Sequence, residues 1–151
     1  MSPTRTDEQQ IRALLQELYS ALEAKQASRV VACSVPDTVV YDLAPPLRAD
    51  TRPDHIVGAL DAWFATFDGP LEYETRDLEV VVGGDVAYTH GLTRMTATPQ
   101  GSTKSFDLWM RSTICLQRRD GSWLITHEHT STPFHMETTD GTFRATTDLE
   151  P

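Results

Sequence analysis

The sequence predicts an α+β domain in which a curved antiparallel sheet wraps three helices from the N-terminal half. Three observations predict it. Helical apolar spacing is confined to the first 67 or so residues. From Leu71 onward the chain reads as long alternating strands. The breaks between those strands are short turns, Gly83-Gly84-Asp85, Pro99-Gln100-Gly101-Ser102 and Arg119-Asp120-Gly121, which fit hairpins and leave no room for crossover helices.

In order, Ile11, Leu14, Leu15, Leu18, Tyr19 and Leu22 give an amphipathic helix over Asp7 to Lys25, with Thr6 or Asp7 placed to cap it. A short helix, Ser28 to Cys33, stops before Pro36. Thr38 to Leu43 is a β-branched and aromatic strand closed by Ala44-Pro45-Pro46. Pro53 suits a first helical position, and Ile56, Leu60, Trp63, Phe64 and Phe67 form a third helix ending at Asp68-Gly69-Pro70. Strands follow over Glu72 to Val82, Val86 to Thr98, Lys104 to Arg118 and Trp123 to Ser131. One domain with its core at 7–134 is expected, followed by an irregular tail at 135–151.

The composition excludes several functions. A chain of 151 residues is long enough for one sizeable core. Its net charge of -9, from 13 Lys plus Arg against 22 Asp plus Glu, argues against nucleic acid, which is bound by clustered cations. No apolar run approaches the roughly 20 residues of a membrane span, and Met1 to Asp7 has no signal core, so a cytoplasmic protein without a membrane partner is expected. Cys33 and Cys115 lie far apart among apolar neighbours and read as buried free thiols.

The stretch Trp123 to Pro133 turns an apolar strand into a polar one. Strict alternation puts Trp123, Ile125, His127, His129 and Ser131 on one face. A three-residue turn at Arg119-Asp120-Gly121 would pair Cys115 with Ile125 and Arg111 with His129. A four-residue turn at Pro99 to Ser102 would pair Arg94 with Asp107 and His90 with Arg111. Tyr88, His90, Arg94, Asp107, Trp109, Arg111, His127, His129 and Ser131 then share a face read here as the pocket wall. The other face, with Phe106, Leu108, Met110, Ile114 and Leu116, is apolar enough to predict a two-fold dimer through the outside of the sheet. His127-x-His129 beside His90 has a metal-ligand look, but no acid joins that face and Arg111 would repel a cation, so no metal is expected. Asp42, with Val40 and Ala44 on its own face, is expected in an apolar cavity, where it would serve as a proton acceptor.

Several segments together resemble a known family. They are Leu18 to Ala24 (L-Y-S-A-L-E-A), Val39 to Arg48 (V-V-Y-D-L-A-P-P-L-R), Trp63-x-x-x-Phe67-Asp68-Gly69-Pro70, Asp85 to His90, Asp107-x-Trp109-x-Arg111-Ser112-Thr113, and Asp120 to Pro133. They are similar to the SnoaL-like, ketosteroid-isomerase-like branch of the nuclear transport factor 2 superfamily. The resemblance covers nearly the whole chain and implies a cone-shaped, highly curved antiparallel sheet closed by three helices, a cystatin-like α+β roll that is usually dimeric. Ketosteroid isomerases pair an Asp general base with an oxyanion hole made of a Tyr and a protonated Asp. The resemblance puts Asp42 at the base, Leu18 at the tyrosine position with Tyr19 one residue on, and Thr113 or Cys115 near the second acid.

Residues and resemblance together lead to a small apolar carbonyl compound bound without a cofactor. Proton transfer would use Asp42 as base, with His129 and Arg111 stabilising the oxyanion. Tyr19, Trp63, His90, Trp109, His127 and Ser131 would contact the ligand. Isomerase, cyclase and dehydratase chemistry all stay open, as does a binding module without turnover, because this fold carries all of them.

Overall fold

Thr6 opens the chain's first helix with a reciprocal cap. Its hydroxyl accepts from the Gln9 backbone N–H at 3.3 Å while the Gln9 side chain accepts from the Thr6 N–H at 2.9 Å. The computed structural model, which describes residues 5–136, 144–146 and 149–151, then runs α1 (Asp7–Glu23), α2 (Ala27–Ala32), β1 (Ser34–Tyr41), α3 (Ile56–Phe64), β2 (Phe67–Gly83), β3 (Val86–Pro99), β4 (Phe106–Arg119), β5 (Ser122–Ser131), β6 (Phe134–His135) and β7 (Arg144–Ala145). The stripe Ile11, Leu15, Leu18 and Ala21 is buried against the sheet. Asp7 fixes the start of α1 to the β4–β5 hairpin, accepting from Arg118 at 2.8 Å and from the Trp123 indole at 3.3 Å.

The predicted α+β fold with a curved sheet is what forms, and the main strands lie in the order β1-β5-β4-β3-β2. The pairings among β2 to β5 are antiparallel, but β1 lies parallel to β5. The sheet is therefore mixed, because the chain leaves β1 through α3 and three further strands before β5 returns beside it in the same direction. Strand β1 begins earlier than its β-branched run suggests. Pro36 is tolerated because this is an edge strand, and the pairing is irregular between Ser34 and Val39. Helix α3 is shorter than its apolar spacing implies, and Phe67 to Pro70 join β2 instead, with Gly69 at φ 68° where the ladder breaks between Asp68 and Glu72. A second break, between Arg76 and Glu79, brings β2 so close to β3 that a Cβ on Gly91 would sit 3.2 Å from the Arg76 carbonyl. Any larger residue there would press on backbone atoms of β2 and push them back by a few tenths of an ångström.

Two local features of the β4–β5 hairpin decide which side chains face inward. The turn is two residues long, Asp120 and Gly121 at φ 50° and 81°, with Arg119 opposite Ser122. Leu116 therefore pairs with Ile125, and both are buried. The ladder then slips, so that Cys115 pairs with His127 and Thr126 is the extra residue of a bulge. Trp123 and Ile125 point into the core before the bulge, whereas Glu128 and Thr130 point inward after it. The expected run from Trp123 through His129 on one face is thus broken in the middle.

At the chain's end, Phe134 pairs with Ala145 and His135 with Arg144 in a two-stranded ribbon, so the described part of the tail is not wholly irregular. Thr138, Thr139 and Gly141, read as irregular from the sequence, lie outside the described residues. Among the described residues no helix is long and apolar enough to cross a membrane.

Candidate functional site

A cavity of about 470 Å³ lies between the concave face of the sheet and the three helices, within the roughly 300–1,000 Å³ usual for small-molecule sites. Its apolar walls come from Leu18 and Leu22 of α1, Val30 and Val31 of α2, Ile56, Leu60 and Trp63 of α3, and Met95, Leu108, Met110 and Ile114 of the sheet. Strand alternation aims Thr38, Val40 and Asp42 inward while Tyr41 points out to meet the rings of His127 and His129 at 5.0 and 5.8 Å.

One region of the wall is polar. Tyr19 and Tyr73 stack at 5.4 Å between ring centroids, and the Tyr19 hydroxyl lies 3.4 Å from Thr93 Oγ1, which also accepts from Ser112 at 3.3 Å. The Tyr73 hydroxyl has no hydrogen-bond partner among the described residues. Both phenols are pushed up in pKa, first by burial and, for Tyr73, next by the negative charge of Asp42. Asp42, expected within an apolar cavity, instead stands exposed at its rim, accepting from the Leu43 N–H at 2.7 Å.

Glu128 is the least ordinary group in the cavity. Its carboxyl opens into the void, is packed round by protein, and makes no hydrogen bond or ion pair among the described residues. Burial, and then the charge of Asp42, push it up to about 7. Among the described residues, no Lys, Arg or His lines the cavity. What these groups can do is accept a proton, at Asp42 or Glu128, and donate hydrogen bonds from phenols in surroundings that exclude much of the water.

The sequence profile of the SnoaL-like domain matches residues 11–135. The chain belongs to the SnoaL-like domain family. An NTF2-like protein of unknown function from Pseudomonas putida is similar over 93% of this chain and 94% of its own, at 28% identity and a TM-score of 0.78. A protein from Novosphingobium aromaticivorans with a provisional scytalone dehydratase name covers 92% and 90% at 18% identity and a TM-score of 0.74. A ketosteroid isomerase-like protein from Erwinia carotovora covers 81% and 92% at 20% identity and a TM-score of 0.66. The last two show the shared fold. No curated protein matches the sequence.

Within this SnoaL-like domain, Asp42, Tyr19 and Trp63 meet at one cavity. The remaining residues expected there do not reach it. Tyr88, His90, Arg94, Trp109, Arg111, His127, His129 and Ser131 do share a face, but it is the convex one. Arg111 donates to Ser131 at 3.2 Å, His127 Nδ1 lies 2.7 Å from the Val39 carbonyl oxygen, His90 faces Glu79 at 3.7 Å, and Trp109 lies beneath the guanidiniums of Arg76 and Arg94. The cause is a pair of register steps. A turn one residue shorter than expected and a bulge of one residue displace β5 by two positions against β4, so His127 still shares a face with Thr113 and Arg111, but Ile125 does not. On β3, Arg94 pairs with Trp109 and His90 with Thr113, again two positions away from the expected partners, and Arg94 reaches Asp107 only diagonally at 3.9 Å.

The expected apolar outer face is corrected in the same way. Leu108, Met110 and Ile114 line the cavity, and Leu116 lies in the core. Sequence reasoning missed Glu128, Tyr73, Thr93 and Ser112. Glu128 sits between two histidines, and only the bulge, which leaves no pattern in the alternation, turns it inward.

Proposed function

We propose that this SnoaL-like domain binds a small apolar carbonyl compound in its cavity and moves a proton α to the carbonyl without a cofactor. One observation carries the reading: a carboxylate, Asp42, and a partnerless phenol, Tyr73, open into the same apolar void. In the step, Asp42 takes the proton as the α C–H bond breaks, and the electron pair moves onto the carbonyl oxygen. Tyr73, with Tyr19 beside it, donates hydrogen bonds to the oxyanion. Return of the proton to another carbon completes an isomerisation; loss of a β-hydroxyl, which takes up that proton and leaves as water while the Cα–Cβ double bond forms, completes a dehydration. His129 and Arg111 take no part in this version of the step, because they stand on the other side of the sheet.

The reading includes a homodimer formed through the convex face, which exposes Tyr41, Val81, Val86 and Tyr88 beside its histidines. It also includes a cytoplasmic setting, supported by free cysteines at Cys33 and Cys115. Hydrogen–deuterium exchange at the α carbon of bound 4-phenylbutan-2-one tests the chemistry. The wild type should accelerate exchange and Asp42→Asn should abolish it while ketone affinity stays within a few fold. Binding without accelerated exchange in the wild type would make the domain a binding module.

A further inference from the structure

The proton-transfer step leaves one buried ionisable group without a task. Glu128 faces the cavity from β5, opposite Ile114, with no side-chain or backbone partner among the described residues. A buried carboxylate normally has an ion-pair or hydrogen-bond partner, because losing water without one costs several kcal/mol. Asp42, the other acid at this cavity, adds repulsion rather than relief. Among the described residues the wall has no cationic side chain, while Tyr19, Tyr73 and Trp63 present aromatic rings to the same void. Acids and aromatic faces without a cation are the surroundings in which an ammonium group is stabilised, by charge and by the ring quadrupoles together.

We infer that the missing partner of Glu128 is carried by the ligand: the cavity takes an apolar molecule bearing a protonated amine and rejects carboxylates. The inference rests on the reading that this cavity is the ligand site, but not on any turnover by Asp42. The titratable groups facing Glu128 are Asp42 beyond β1, Tyr19 on α1, Tyr73 on β2 and the Cys33 thiol after α2, while β4 contributes only Ser112, Ile114 and apolar side chains. Burial pushes both phenols above their ordinary range and holds the thiol at about 11, so these three stay protonated near neutrality. Glu128, at about 7, is the group whose ionisation an ammonium would draw out. Amine affinity therefore rises with pH through neutrality. A neutral ligand that accepts a hydrogen bond from the protonated acid shows the opposite slope.

Calorimetric titration with 3-phenylpropylamine, 3-phenylpropan-1-ol and 3-phenylpropanoate varies only the head group on one apolar scaffold. The amine, with a pKa near that of lysine, about 10, stays charged throughout. At about pH 8 it should bind at least roughly ten-fold tighter than the alcohol, with the carboxylate weakest, and its affinity should fall about ten-fold at pH 6, where about a tenth of a group with pKa 7 is ionised. Glu128→Gln should remove the amine's advantage and its pH slope while keeping alcohol binding, which also shows that the variant is folded. Equal binding of amine and alcohol at pH 8, or an amine affinity that does not fall towards pH 6, would overturn the amine assignment and leave the cavity as a ligand site. Failure of all three probes to bind would overturn both.

Discussion

The two faces of one short stretch, Ile125 to Ser131, behave as different materials. On the convex side His127 and His129 both meet the Tyr41 ring, and His127 Nδ1 lies beside the Val39 carbonyl oxygen of the neighbouring strand. On the concave side Glu128 and Thr130 look into an apolar void, and Glu128 has no partner among the described residues. A charge in water or beside an opposite charge is inexpensive to keep, whereas the same charge in a cavity shifts its pKa and waits for a ligand. Adjacent residues therefore differ in chemistry because of a single extra residue, Thr126, in the ladder.

Inserting an alanine between Cys115 and Leu116, opposite Thr126, tests that contrast most severely. The insertion would give Thr126 a partner, restore plain alternation and carry the histidines inward and the acid outward, and it should cost more than about 4 kcal/mol in denaturant unfolding, the range reserved for broken cores and buried unpaired charge. An unfolding midpoint close to the wild type would mean that the slip has no structural weight. Next comes Leu116→Ala, on the inner side of the same hairpin and only 1% exposed, for which the expected loss is about 3 kcal/mol.

Glu128→Gln should act in the other direction. Because the folded state raises this carboxyl from 4.5 to about 7, the folded chain holds an extra proton between those values. Stability from this group is fully present below about pH 4.5, falls as pH rises and is lost above about 7. At about 1.4 kcal/mol per pKa unit, the penalty at pH 8 is at most about 3 kcal/mol. The glutamine variant should be more stable than the wild type by up to that amount at pH 8 and equal to it near pH 4.5, as read from chemical denaturation at the two pH values. The smallest effect is expected on the convex side. Arg111→Ala should change unfolding free energy by no more than about 0.5 kcal/mol and leave the affinity of any cavity ligand unaltered; a loss of ligand binding would return Arg111 to the site.

The architecture was readable because it depends on periodicity, and periodicity averages over many residues. Ile11, Leu15 and Leu18 mark the buried stripe of α1, and the long alternation after Leu71 marks the hairpins. Even the grouping of His90, Arg111, His127 and His129 on a common face was legible, since both register steps shift by an even number of positions. Which face looked inward was not legible. That choice turns on the length of the Asp120-Gly121 turn and on the Thr126 bulge, each a single-residue event with a weak sequence mark. Asp42 does reach the cavity, because its placement did not depend on a hairpin register, but it stands exposed at the rim and not enclosed as Val40 and Ala44 beside it suggested.

The inward turn of Glu128 is measured most directly by a ¹³C NMR titration of its side-chain carboxyl. The account predicts a midpoint near 7 that falls when Asp42 is replaced by asparagine, since burial and that neighbouring charge are the two causes of the shift. A midpoint near the ordinary 4.5, indifferent to residue 42, would place the carboxyl in water and contradict the cavity described here.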